Sequence, residues 1–109
     1  MHIEQVPFCV TDWATIPPVE HLGETGIATW RTLNRGNLRV RMVEYGPGYS
    51  ADHWCSRGHV LLVLEGELVT ELQDGRSFRL RAGHSYQVAE GAEPHRSHTE
   101  SGAKLFIVD

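Results

Sequence analysis

The chain has 109 residues, 40% of them hydrophobic, with 14 acidic against 10 basic side chains and a net charge of −4 when its histidines are neutral. That is one domain's worth, with a single modest core and a narrow stability margin. The basic residues form no block, which argues against a nucleic-acid surface, and no run approaches the ~18 apolar residues of a membrane span.

The opening stretch, MHIEQVPFCVTDW, has no basic segment followed by an apolar one, so no export signal is expected and the expected location is cytoplasmic. Cys9 and Cys55 lie far apart, and a reducing compartment disfavours a disulfide between them. Residues 1–26 hold Pro7, Pro17, Pro18, Gly23 and Gly26 and read as an irregular N-terminal arm with at most a short strand or turn. Residues 27–109 read as one strand-rich domain. IATWRTLN is a strand, and Arg35-Gly36-Asn37 is turn chemistry. NLRVRMVEY alternates, with Leu38, Val40 and Met42 expected on the buried face and Arg39 and Arg41 on the wet one. HVLLVLEGELVTELQ is apolar on both faces and interrupted at Glu65-Gly66, and Asp74-Gly75 signals a hairpin. RSFRLRA alternates again, with Phe78 and Leu80 opposite Arg79 and Arg81. SYQVA, HRSHT and AKLFIVD supply three more short strands. No segment carries a helical period, so the pattern predicts an all-β sandwich or barrel and excludes parallel βαβ units.

The stretch ADHWCSRGHVLLVLEG concentrates chemistry. Residues two apart on a strand share a face, so His53 and Cys55 are expected to project together, and a turn at Arg57-Gly58 returns His59 beside them. Imidazole and thiolate together suit a borderline or soft divalent metal such as zinc, iron, nickel or copper. His84, His95 and His98 are the candidates for a fourth ligand. In PHRSHT, Arg96 belongs on the solvent side, which puts His98 there too and selects His95 for the interior. Single histidines and free cysteines are usually structural; the spacing of His53, Cys55 and His59 is what favours a metal.

At these residues the sequence resembles the cupin superfamily, whose first motif is written G-x5-H-x-H-x3,4-E-x6-G. Gly66 matches its closing glycine. His59 stands at the glutamate position, Cys55 at the second histidine and His53 at the first, with Pro47-Gly48 one residue off the leading glycine. The second motif, G-x5-P-x-G-x2-H-x3-N, is matched by Gly83, Gly91 and His95, with Ala89 for its proline, Thr99 for its asparagine and one extra residue before His95. ADHWCSRGH is more similar to the small DHCW-motif cupins than to the average member. The resemblance covers about residues 35–109. It implies a single-domain antiparallel jelly-roll barrel, a homodimer, and a divalent metal held by His53, Cys55, His59 and His95. That three-histidine, one-cysteine set points first to zinc, with iron or nickel next.

Two functions follow as expectations. One is a metalloenzyme acting on a small molecule at an open coordination position, with Tyr49, Tyr86 and Arg96 as candidate helpers near the mouth and no catalytic residue singled out. The other is a non-catalytic metal or small-ligand binding module with a closed zinc site. A metal-free barrel is the least favoured, since burying three histidines and a thiol without partners is costly.

Overall fold

The computed structural model describes residues 2–109. It is nearly all β. After a short 3-10 helix at Trp13–Thr15 come eight strands: β1 Val19–Leu22, β2 Ile27–Arg35, β3 Leu38–Tyr45, β4 His59–Leu72, β5 Ser77–Arg81, β6 Ser85–Val88, β7 His95–His98 and β8 Ala103–Val108. Every pairing is antiparallel. No helix among the described residues is long and apolar enough to cross a membrane.

One strand joins two sheets. The first half of β4 pairs with β8 and β6, in a sheet that continues through β3 and β2 to β1. Its second half pairs with β5 and β7. The crossover falls where the sequence interrupts its apolar run. The register shifts between Val63 and Glu65, and Gly66 adopts φ +80°. The strand therefore bends and continues through Glu65-Gly66 instead of turning back, as a bulge allows. The Asp74-Gly75 hairpin between β4 and β5 forms as the sequence predicts. The arm is not wholly irregular, since β1 lies within it and adds an edge strand against β2.

Leu61, Val63, Leu68 and Leu105 are fully buried between the sheets, with Val43, Leu80, Ala103 and Ile107 around them. Each such leucine contributes about 1.5–3 kcal/mol of burial free energy. Leu80 is buried between the exposed Arg79 and Arg81, as their alternation predicts. In β3 the core face is the opposite of the one expected, although Val40, on the expected face, is buried as well. Val43 belongs to the core, and Arg41, two residues earlier on the same face, is only 5% exposed. Met42 lies on the outer face, in register with Phe106, and Trp13 packs edge-on against Phe106 at 6.4 Å. Arg31 fastens the arm there through the carbonyls of Trp13 and Ile16. Alternation marked two faces correctly but could not tell which was interior, because the arm shields the outer one.

Gly66 and Gly75 separate two costs of a side chain. Both have positive φ, but a Cβ on Gly75 would meet nothing within 4 Å, whereas one on Gly66 would lie 2.2 Å from the Gly102 carbonyl oxygen. Gly75→Ala should cost about 1 kcal/mol of backbone strain, and Gly66→Ala clearly more. Chemical denaturation of the two variants checks this; equal losses would remove the close approach as a constraint.

Candidate metal centre

Residues 51–58 form no regular strand, yet the backbone ties them to β7. The Ala51 N–H donates to the Ser97 carbonyl at 3.0 Å, the Cys55 N–H to the His95 carbonyl at 2.8 Å, and the His95 N–H back to the Cys55 carbonyl at 2.9 Å. Cys55 and His95 thus oppose each other as a doubly hydrogen-bonded antiparallel pair, whose side chains leave on one face. His59 opens β4 on the face that also carries Leu61 and Val63. Along β7 and the residue after it, His95, Ser97 and Thr99 are buried while Arg96 and His98 are only partly so.

The result is a compact donor cluster. One ligand atom each from Cys55, His59 and His95 lies within 4.8 Å of the others. The Nε2 atoms of His59 and His95 are 3.2 Å apart, their rings nearly perpendicular at 83°. Two imidazole nitrogens bound to one tetrahedral zinc lie about 3.3 Å apart, given ordinary zinc–nitrogen lengths. The Nδ1 of His95 is 2.9 Å from the carbonyl oxygen of Glu93, which only accepts, so Nδ1 carries the proton and Nε2 keeps its lone pair. The backbone N–H of Arg57 points at the Cys55 sulfur at 3.4 Å. The residues present therefore fit a thiophilic divalent metal.

His53 stands apart. Its side chain is 78% exposed and its Nδ1 lies 2.6 Å from an Asp52 carboxylate oxygen. Its expected place beside Cys55 rested on strand parity, and residues 51–58 are not a strand. Among the described residues three donors converge, not four. His84 is exposed, as the sequence suggests. Of the candidate helpers, Tyr49 stacks on Tyr45 and Arg96 lies over Trp54. Tyr86 alone reaches the cluster, its hydroxyl 2.9 Å from His59 Nε2.

Behind His59 lies a charged group absent from the sequence reading. Asp109, its side chain 1% exposed, takes a bidentate pair from Arg39 at 2.8 and 2.9 Å and a third hydrogen bond from Arg41 at 3.1 Å. Burial pushes the Asp109 carboxyl upward, but the Arg39 hydrogen bonds and the charges of Arg41, Arg39 and Arg57 outweigh it and hold the group below its ordinary range. The available signal was parity, because Ala103, Leu105, Ile107 and Asp109 occupy alternate positions and the first three are core. Burial, and then the neighbouring His95, push His59 down to about 4, so it is a neutral imidazole near pH 7. Burial also raises the Tyr86 phenol, keeping it a proton donor.

At its His95 edge the cluster borders a cavity of about 390 Å³ between β4, β5, β6 and β7. His95 and Tyr86 form part of its wall, together with Leu72, Phe78, Leu80, Val88 and Thr70. Arg76 and Arg79 also line it, but Arg76 is bound to Asp74 and Glu93, and Arg79 to Glu67.

The depressed His59 has a consequence for the metal-free protein. The unfolded chain takes up a proton on this imidazole near pH 6.5, the folded one only near pH 4. The stabilisation is complete above pH 6.5 and is lost as pH falls toward 4. Chelator-treated protein should therefore show a melting temperature that drops between pH 7 and 5, with a shallower drop in His59→Gln. Parallel slopes would contradict the assignment.

No protein-family model matches the chain, and no curated protein matches it. Solved structures do. A sugar phosphate isomerase of the cupin superfamily from Silicibacter pomeroyi aligns over 92% of this chain and 74% of its own, at TM-score 0.73 and 17% identity. Ectoine synthase from P. lautus aligns over 93% and 76%, at TM-score 0.76 and 16% identity. Fe(II)-HppE, solved with an alternative substrate, aligns over 94% of this chain and 60% of its own, at TM-score 0.76 and 19% identity. At these identities the likeness is one of fold, and none of the three speaks for the DHCW subgroup. The eight antiparallel strands wrapped around an inward-facing histidine and cysteine cluster share the barrel fold of these solved cupin-superfamily structures.

Proposed function

We propose that this protein is a metal-dependent cupin enzyme acting on a small, largely apolar molecule, with Cys55, His59 and His95 as the metal ligands. The observation that carries the reading is the meeting of two histidine Nε2 atoms at 3.2 Å beside a free thiol, with one of the histidines, His95, on the wall of a cavity. Two imidazoles and a thiolate suit zinc, iron(II) or nickel over magnesium or calcium. The Fe(II) of HppE, which shares the fold, supports including iron with zinc. A reducing compartment such as the cytoplasm would keep Cys55 available as a thiol.

Three protein donors leave a coordination position for water or substrate, the mark of a catalytic site. When bound, the ion supplies a Lewis acid and a means of activating water at neutral pH. The chain's own residues do the rest. Leu72, Phe78, Leu80 and Val88 shield the site from water and receive an apolar body. The Tyr86 hydroxyl, 2.9 Å from His59 Nε2, is the proton donor placed to meet a substrate oxygen. With Arg76 and Arg79 both paired to carboxylates, the described residues of the cavity wall present no free Lys or Arg, which favours an uncharged body over a phosphate. A closed zinc module would need a fourth protein donor, and the exposed, Asp52-paired His53 does not favour it.

Elemental analysis of untagged protein purified without chelator, beside Cys55→Ser, tests the reading. About one equivalent of metal in the parent and a large loss in the variant is expected, because ligand loss removes much of the binding free energy. Azide or cyanide should then perturb the spectrum of the metal-loaded parent. No metal in the parent, or an equal content in both proteins, contradicts the ligand set. A loaded protein that takes no added ligand contradicts the enzyme reading and leaves a binding module.

A further inference from the structure

The Nδ1 of His59 is buried and has no hydrogen-bond partner. The nearest acceptor is the Asp109 carboxylate, with Oδ2 at 3.7 Å, beyond a direct hydrogen bond but within ionic reach. That carboxylate is itself buried and is held in place by Arg39 and Arg41, the latter on the same Oδ2, with the Arg57 Nε 3.8 Å away. On the other edge of the ring, Nε2 faces the Tyr86 hydroxyl at 2.9 Å and the lone pair of His95 at 3.2 Å.

The two tautomers of His59 fare differently in this setting. With the proton on Nε2, the Nδ1 lone pair would confront an anion at 3.7 Å in a site with little water, and Coulomb repulsion there is weakly screened. With the proton on Nδ1, the N–H dipole points at the carboxylate, and Nε2 accepts from Tyr86 or binds a cation. The Nε2 lone pair then faces that of His95 at 3.2 Å, where an Nε2–H would donate instead, so the buried anion has to outweigh that one neutral hydrogen bond. We propose that Asp109 is a positioning residue: its carboxylate, clamped by Arg39 and Arg41, fixes His59 in the Nδ1–H tautomer and thereby aims the Nε2 lone pair into the donor cluster. Asp109 touches neither the metal position nor the cavity and acts only through His59. Carboxylate partners of this kind commonly change metal affinity by one to two orders of magnitude.

Part of this inference rests on the metal reading and part does not, and the experiment keeps them apart. Long-range proton–nitrogen correlation spectra of metal-free protein with labelled histidines read the His59 tautomer directly, whatever binds there. The parent should show Nδ1–H, and Asp109→Asn should shift His59 toward Nε2–H. The same two proteins, with Arg39→Lys as a third, are titrated with zinc against a competing chelator. Asp109→Asn should weaken zinc about 10–100-fold. Arg39→Lys, which disturbs the clamp but keeps the carboxylate, should stay within a few-fold of the parent. An Nε2–H tautomer in the parent overturns the proposal without any variant, so misfolding of Asp109→Asn leaves the test intact. It is also overturned if Asp109→Asn keeps the parent tautomer, or if Arg39→Lys weakens zinc as much as Asp109→Asn does, since Asp109 would then be only an anchor for the strands. Failure of the parent to bind zinc, with the tautomer shift present, would sink the metal reading and leave the positioning role standing.

Discussion

The reciprocal hydrogen bonds between Cys55 and His95 are the constraint on which the site depends. Residues 51–58 have no strand geometry of their own, so nothing local aims the Cys55 side chain inward. Pairing with the first residue of β7 does so, because opposed residues of an antiparallel pair present their side chains on one face. The same pairing sets His95, whose Nδ1 is then held by the Glu93 carbonyl. β4 brings the third donor, and its bulge lets one strand serve both sheets while His59 stays on the core face.

Placing this much polarity inside a small barrel has to be compensated. A buried guanidinium or carboxylate alone would cost several kcal/mol. Here Arg41 and Asp109 neutralise each other, Arg39 adds a bidentate pair, and Trp30 covers the Arg41 guanidinium at 4.4 Å. Thr70 and Ser97 hydrogen-bond at 2.7 Å in the same interior. The arrangement divides the barrel. Leu61, Val63, Leu68 and Leu105 form the apolar part that stabilises the fold, and the region around His59 forms a polar part that is nearly but not fully satisfied. Buried polar atoms without partners are uncommon and mark places where a further group is accommodated.

Much of this was legible in the sequence, for identifiable reasons. The strands β3 and β5 declared themselves by alternation, the others as short apolar or β-rich runs between turns, and the glycine-marked turns by their residue types. The inward selection of His95 over His98 followed from Arg96 needing solvent, and burial agrees with it. Three features were not legible. The core face of β3 was the opposite of the one expected because the arm covers the outer face through Trp13, so apolar residues occupy both sides and the interior arginine looks like a wet one. His53 was grouped with Cys55 by a parity that holds only in strands. Asp109 was passed over because an acid after an apolar run reads as a solvated end unless its arginine partners, some seventy positions earlier, are already known to face inward.

X-ray absorption spectroscopy at the edge of the metal that copurifies with the parent protein tests the central claim most directly, since it counts ligand types without a crystal. The account predicts one sulfur and two imidazoles in the first shell, with a further light-atom ligand that azide or cyanide displaces. A first shell without sulfur, or one with three imidazoles and a sulfur that no added ligand alters, would contradict it.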